Sequence, residues 1–337
     1  MDFGLISIFL VVLLGPLLVK KIEENMEVFL LSMGILASMV SGVYNEHLFL
    51  MAATDPILIS LAVLVAGLVF RWLQMPFSRI LHFLKNRVPF KLFIFLMVVF
   101  LGFISSAITA IIAALLLVFI VVGLDLERRE QIRLTVLACF SIGLGAALTP
   151  IGEPLSIVTI SKLNGDFFYL LRLIGKDVIF ALIIFGLLAA FLVKVPVAND
   201  LKRSVKDKEN YEEIFIRGLK IYFFVMGLTF LGAGFEPFVS AYFLGMDHSV
   251  LYWFNMSSAI LDNATLAAAE ISAELDPAVI RVILLGLMIS GGMLVPGNIP
   301  NIIAAGKLGI TSKEWAKHGV PVGLCAMVIY YFIVVIN

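Results

Sequence analysis

The chain has 337 residues, 61% hydrophobic and 14% charged, with 24 basic side chains balanced by 24 acidic ones. Its mean hydropathy of +1.08 is far above that of a water-soluble domain, in which apolar residues make up about half. The two cysteines, Cys139 and Cys325, both lie in apolar runs, which excludes a disulfide framework and a thiolate metal site; no nucleic-acid partner and no bound cofactor are expected.

The expected fold class is an all-α integral membrane protein. The first apolar run, about 3–19, has no basic start and no small-residue cleavage site, so it is read as a retained helix. It ends at Lys20-Lys21, and helix two, about 27–43, leads to Asn45-Glu-His47 without Lys or Arg. These two helices, within 1–44, form a scaffold ahead of the rest. Helix three, about 56–70, runs into a connection carrying Arg71, Arg79, Lys85, Arg87 and Lys91 between apolar residues, a pattern suited to lying partly in the interface. The next apolar run, about 92–123, is interrupted by Ser105-Ser106-Ala-Ile-Thr109 and is longer than the ~20 residues a spanning helix needs.

Charge placement decides how that run is threaded. With Lys/Arg-rich connections on the cytoplasmic side, the segments 71–91 and 124–133 are both inside, so 92–123 enters and leaves on one face as a re-entrant hairpin with its tip near Ser106–Thr109. The same rule takes 134–163 outward and 171–194 inward, and leaves 195–217 as a cytoplasmic linker. Helix 218–234 then runs out to Glu236-Pro237, and 249–273 forms a hairpin entered from outside that returns to Glu274-Leu-Asp-Pro277. Finally 279–308 comes in and 319–336 goes out, which puts both termini outside. All but four of the 24 Lys and Arg (Lys162, Arg172, Lys176 and Arg281) then lie at or near the inner face.

The order helix, hairpin, broken helix, helix occurs in 56–194 and again, in inverted orientation, in 218–336. Inverted-topology repeats place substrate and coupling-ion sites near the bilayer midplane at the repeat interface. Sequence echoes agree. Ser106-Ala-Ile-Thr109 corresponds to Asp262-Asn-Ala-Thr265, and Thr149-Pro150-Ile-Gly152-Glu153-Pro154 corresponds to the stretch containing Pro296, Gly297, Asn298 and Pro300. Two prolines four apart remove two backbone donors and break a helix. Broken backbone at membrane depth survives only where it is buried in protein or lines a cavity. The plainer alternatives are kinks that serve packing alone, and Asp262 as an ordinary helix cap in a surface turn.

The chemistry these residues suggest is cation binding. Hard monovalent cations take carboxylate, amide, hydroxyl and unwound carbonyl oxygens. The second half offers Asp262, Asn263, Thr265, Asn298 and Asn301; the first offers Ser105, Ser106, Thr109, Thr149, Glu153 and Ser156. Asp262 and Asn263 are the tentative sodium ligands. Asp262 and Glu153 are the candidates for proton exchange, since burial raises a carboxylate pKa and a bound cation lowers it. Glu153 is alternatively a structural hydrogen-bonding group at the break. Glu270 and Asp177 read as relays, or more simply as a snorkelling end residue and an ion pair with Arg172 or Lys176.

The Leu-Asp-Asn-Ala-Thr tip together with the Thr-Pro-Ile-Gly-Glu-Pro break resembles the ion transporter superfamily of sodium/proton antiporters, sodium-coupled carboxylate symporters and arsenite exporters. Within it the chain is most similar to a prokaryotic family of predicted cation transporters of undefined substrate. The resemblance covers about 56–336. It maps the tip motif onto Asp262, Asn263 and Thr265, and in the first half onto Ser106, Ala107 and Thr109, where the Asn is missing. It maps the break motif onto Thr149, Pro150, Gly152 and Pro154, with Ser156 near the place of an Asn. The resemblance implies a multi-pass protein of a prokaryotic cell membrane that forms a homodimer, with membrane lipid and small inorganic ions as its partners.

The function expected is secondary active transport, sodium/proton antiport by alternating access, with sodium and protons as cargo. The alternative is a sodium-coupled symporter of a small anion such as a dicarboxylate. Against that alternative, both candidate motifs are acidic and no Arg adjoins them to clamp a carboxylate. An enzyme is not expected, because no His-rich or Ser/Lys constellation accompanies the motifs.

Overall fold

The computed structural model describes residues 2–19, 21–22, 25–54, 56–57, 60–61, 64–65, 68, 88–194, 211–243, 247–261, 263–271 and 275–336. Among these every regular element is helical. The order is α1 (Asp2–Leu18), α2 (Met26–Val40), α3 (Phe90–Ile108), α4 (Ala110–Gly123), α5 (Arg128–Ala146), α6 (Pro154–Leu163), α7 (Tyr169–Leu192) and α8 (Tyr211–Phe243). There follow α9 (His248–Phe254) with a 3-10 turn at Asn255–Ala259, α10 (Asn263–Glu270), α11 (Pro277–Gly291), α12 (Ile299–Leu308) and α13 (Ser312–Tyr331), which ends in a π-helical turn at Phe332–Ile336. Four helices among the described residues, Phe90–Ile108, Tyr169–Leu192, Ile214–Phe238 and Ser312–Val335, are long and apolar enough to cross a bilayer. The protein is a multi-pass membrane protein, helical in every regular element of its described residues.

Several boundaries differ from the sequence reading, each for a local reason. Residues 46–54 are already helical, so Asn45-Glu-His47 is a helix start, not a loop: the Leu48 N–H donates to Asn45 Oδ1 at 2.8 Å, a side-chain cap. Helix α5 begins at Arg128 within the segment read as a loop. Helix α8 continues through Glu236 and Pro237, since a single proline removes only one backbone donor and is tolerated within membrane helices. Helix α13 starts at Ser312 behind a capping box in which Thr311 and Glu314 each accept from the other's backbone, which puts Lys313 and Lys317 on the helix. Most of the connection 71–91, most of the linker 195–217, and Asp262 lie outside the described residues.

The centre of the bundle is made by α5 and α11. Every residue of α5 from Leu134 to Ala146 and every residue of α11 from Val282 to Gly291 is buried. A helix that is apolar on all sides needs neighbours on all sides. Helix α5 has α3, α4, α7, α12 and α13 around it, and α11 has the 3-10 turn, α9, α10 and α13.

Helix α2 runs parallel to α8 at unusually short range. A Cβ on Gly34 would stand 2.4 Å from the Gly227 carbonyl, one on Gly227 2.5 Å from the Leu31 nitrogen, and one on Gly234 2.7 Å from Ser38 nitrogen. Small residues at such crossings let backbones touch and drive helix association in lipid. An ion pair, Lys220 Nζ to Glu27 Oε1 at 2.8 Å, closes one end of this contact.

Polar residues gather at two ends of the bundle. At one, Arg128 donates to the carbonyls of Leu308 (2.9 Å) and Gly309 (2.6 Å) and pairs with Glu314, a cation on the C-terminus of α12. Beside it Arg133 donates to Leu192 O at 2.8 Å, and Glu130 accepts from the Lys194 N–H, so α5 also caps the end of α7. At the other end Arg281 holds Asp177, and the Tyr330 hydroxyl donates to the Asp177 carbonyl at 2.5 Å. Asp177 therefore pairs with Arg281 and not with Arg172 or Lys176, and Arg172 is taken by Asp166.

Candidate functional site

Two helices are interrupted, and the interruptions are closely alike. Helix α5 stops at Ala146 and α6 starts at Pro154; α11 stops at Gly291 and α12 starts at Ile299, the same offset. Glu153 and Asn298 are the N-cap residues of the second pieces, with φ/ψ of −156°/160° and −154°/145°. Both second pieces have 10 residues and end on a left-handed residue, Asn164 or Gly309. This register pairs Ser156 with Asn301 and Lys162 with Lys307, but sets the prolines one place out of step: Pro154 is the first residue of α6 and Pro300 the second of α12.

Gly152 and Gly297 occupy the same place in the two breaks. A Cβ on Gly152 would lie 1.9 Å from the Ala146 carbonyl oxygen, and one on Gly297 2.5 Å from that of Gly291, six residues back in each case. Only glycine lets the chain fold back onto the open end of its own helix at this range. Gly297 also presses on the carbonyls of Ser258 and Ala259, at 2.8 and 2.9 Å from such a Cβ.

Each break is laced to a neighbouring helix pair. In the first half the pair α3–α4 is separated at Thr109 alone, which has φ 77° and ψ 149°, a conformation that β-branched residues avoid. The Thr109 hydroxyl accepts from Ile112 N–H. The Ala110 N–H donates to Gly152 O at 2.9 Å, and the Thr149 hydroxyl donates to Ser106 O at 2.5 Å. Ser105 is fully buried, and its hydroxyl lies within hydrogen-bond range of Gly102 O and Ile142 O. In the second half the Ser290 hydroxyl donates to Asn255 O, the Ser258 hydroxyl to Leu287 O, and Asn255 Nδ2 to Ile283 O. Asn255, Ser258 and Ser290 are not among the ligands expected from the sequence, because isolated small polar residues in apolar runs resemble ordinary helix-packing positions.

The carbonyls freed at the end of α11 are met by side chains. Asn301 Nδ2 donates to Gly291 O and Leu294 O, each at 2.9 Å, and Trp315 Nε1 donates to Gly292 O at 3.2 Å. The opposite atom, Asn301 Oδ1, is buried without a hydrogen-bond partner among the described residues, as are Ser156 Oγ and Asn263 Nδ2. Glu153 is buried. Asn298 reaches across to α5, where a Cβ on Gly143 would meet its amide nitrogen at 2.3 Å.

The halves exchange partners reciprocally. Helix α6 of the first break packs on α10 of the second helix pair, and α12 of the second break packs on α4 of the first pair. Ser105, Ser106, Thr109 and Thr149 gather where the first break meets α3–α4, Asn301 lies on α12, which packs on α4, and Asn263 begins the helix that meets α6. The side chain of Thr265 is outside what the structure describes, as is Asp262 altogether. The second arms begin at Ala110 and Asn263, so by helix start the counterpart of residue 262 is Thr109, three residues from the Ser106 that the sequence echo pairs with it.

Residues 3–337 match the family model described as "Protein of unknown function (DUF1646)". The chain belongs to that family. No curated protein matches the chain.

Proposed function

We propose that the protein is a secondary active transporter of the ion transporter superfamily, exchanging sodium for protons by alternating access, and that its two halves are inverted repeats. Each half contributes a re-entrant hairpin, α3–α4 or α9–α10, and a broken helix, α5–α6 or α11–α12. The observation that carries this reading is the paired interruption: equal length, matched N-cap backbone, and a glycine against the carbonyl six residues back in both halves. Matching broken helices in a membrane protein are the arrangement in which helix ends and unwound carbonyls face a transported ion. The reciprocal packing of α6 on α10 and α12 on α4 supports a site shared between halves.

In this reading Asp262, with Asn263 and Thr265, forms the principal cation site; Asn298, Asn301, Ser105, Ser106, Thr109, Thr149 and Ser156 supply neutral oxygens, and Glu153 a second carboxylate. Proton and sodium compete for Asp262, and that competition couples their movements. The cytoplasmic end is the one holding Arg128, Arg133, Lys194 and Lys313, by the positive-inside rule. Both termini are then outside a prokaryotic cell membrane, and the protein functions as a homodimer.

Proteoliposomes with an internal pH dye test this. Sodium added outside should drive proton efflux in wild type and not in Asp262→Asn, which keeps size and most hydrogen bonding but loses the charge. Glu153→Gln should shift the pH profile while the protein stays folded. Sodium-dependent uptake of a dicarboxylate without proton exchange would install the symporter reading instead. Normal exchange in Asp262→Asn removes the proposed site.

A further inference from the structure

Glu270 closes α10, two turns beyond Asn263 on the same face, roughly 10 Å along the axis at 1.5 Å per residue. Its side chain does not snorkel to an interface. It is 4% exposed, and neither carboxyl oxygen has a hydrogen-bond partner among the described residues. The polar group beside it is the carboxamide of Asn255, from the 3-10 turn of the other arm. Asn255 is itself fully buried; its nitrogen faces Ile283 O of α11, and its Oδ1 is a further buried acceptor without a donor.

Three buried oxygens therefore share one site with no donor assigned to them. The elements packed on α10 are α8, α6 and α11. Their charged residues on this side are Glu236 at the surface, Lys162 at the surface, and Arg281, whose guanidinium is bound on two nitrogens by Asp177. Asp262 and Glu274 on the same helix pair lie outside the described residues. Among the described residues, Asn255 is the one side chain that acts on the Glu270 carboxyl. Among the described residues an ionised carboxylate so placed has no counter-charge and only the Asn255 carboxamide to favour it, a costly state for a buried acid. A single proton carried on Glu270 removes that charge, and the carboxyl can then donate to Asn255 Oδ1 once the carboxamide turns its oxygen toward it.

We propose that Glu270 is a proton-binding site of the second helix pair, protonated at neutral pH and hydrogen-bonded to the Asn255 carboxamide. The inference concerns occupancy by a proton and stands independently of which ion, if any, the protein transports.

Infrared spectroscopy of the full-length protein in lipid nanodiscs tests it. A protonated-carboxyl band at neutral pH should be present in wild type, absent in Glu270→Gln, and shifted in Asn255→Ala, which removes the acceptor. Glu270→Gln should keep the wild-type melting temperature, because its amide N–H can donate in the proton's place. A band that survives in folded Glu270→Gln overturns the assignment. So does a wild-type band that disappears on adding sodium at constant pH, which makes the three oxygens a cation site. If Glu270→Gln does not fold, Asn255→Ala decides alone: an unshifted band refutes the pairing.

Discussion

Arg281 grips Asp177 through two hydrogen bonds of 2.7 Å, joining α11 of the second half to α7 of the first across 104 residues of sequence. Asp177 is 7% exposed at its side chain and Arg281 32%. Removing the arginine strands a buried carboxylate, which costs about 3–5 kcal/mol for a fully enclosed pair. The partial exposure of Arg281 lowers this to roughly 2–3 kcal/mol. Arg281→Ala should therefore melt well below wild type in detergent, and Asp177→Leu/Arg281→Met should recover most of the loss. Equal melting of wild type and Arg281→Ala contradicts a structural role for the pair.

Gly152→Ala and Gly297→Ala each force a methyl to within 2.5 Å of a carbonyl oxygen of their own break. Both variants should yield little monodisperse protein, at a destabilisation beyond the ~1–3 kcal/mol typical of core overpacking. Gly306→Ala in α12 provides the control, since nothing stands within 4 Å of the added methyl and the residue is helical. That change should be neutral or stabilising by about 0.5–1 kcal/mol. Size-exclusion profiles and thermal melts compare the three.

Thr109 occupies backbone that favours glycine. Relief of strain there is worth on the order of 1–3 kcal/mol, offset by the greater freedom of glycine in the unfolded chain and by the lost cap to Ile112 N–H. Thr109→Gly should leave the melting temperature unchanged or raised, whereas Thr109→Val, which keeps the strain and loses the cap, should lower it. If Thr109→Gly is the less stable variant, the hydroxyl outweighs the strain.

Single cysteines in a background without Cys139 and Cys325 report sidedness. Glu127→Cys and Lys313→Cys flank the Arg128–Glu314 contact and are surface positions, so one membrane-impermeant thiol reagent should label both from the same face. Asp247→Cys should label from the other. Labelling of positions 127 and 313 from opposite faces is incompatible with the threading proposed for the two halves.

The breaks were legible because glycine and proline carry backbone meaning directly. Pro150, Gly152 and Pro154, with Pro296, Gly297 and Pro300, bracket both interruptions, although the helix register pairs the glycines and not the prolines. Helix starts were less legible. Asn45 as a cap and Thr311–Glu314 as a capping box were hidden by charged neighbours that read as loop. Partnerships at long range were not legible at all. Lys176 and Arg172 lie within a turn or two of Asp177 in sequence, but the charge that reaches it comes from another helix, through packing that no local pattern encodes. Glu270 misled for a related reason. Its place before an acidic stretch suggested a helix end near water, while the side chain is buried beside Asn255 of the 3-10 turn.

The short-range contact of α2 with α8 anchors α8 to the N-terminal helices. With Gly34 and Gly227 in backbone contact and Gly234 seated on Ala37 and Ser38, α8 has no slack to slide along its neighbour. Helix α10 rests against α8 on one side and α6 on the other. In the transport cycle proposed above, a change of access is then taken up between α10 and α6, or between α4 and α12, with the N-terminal helices as the mooring against which it is made.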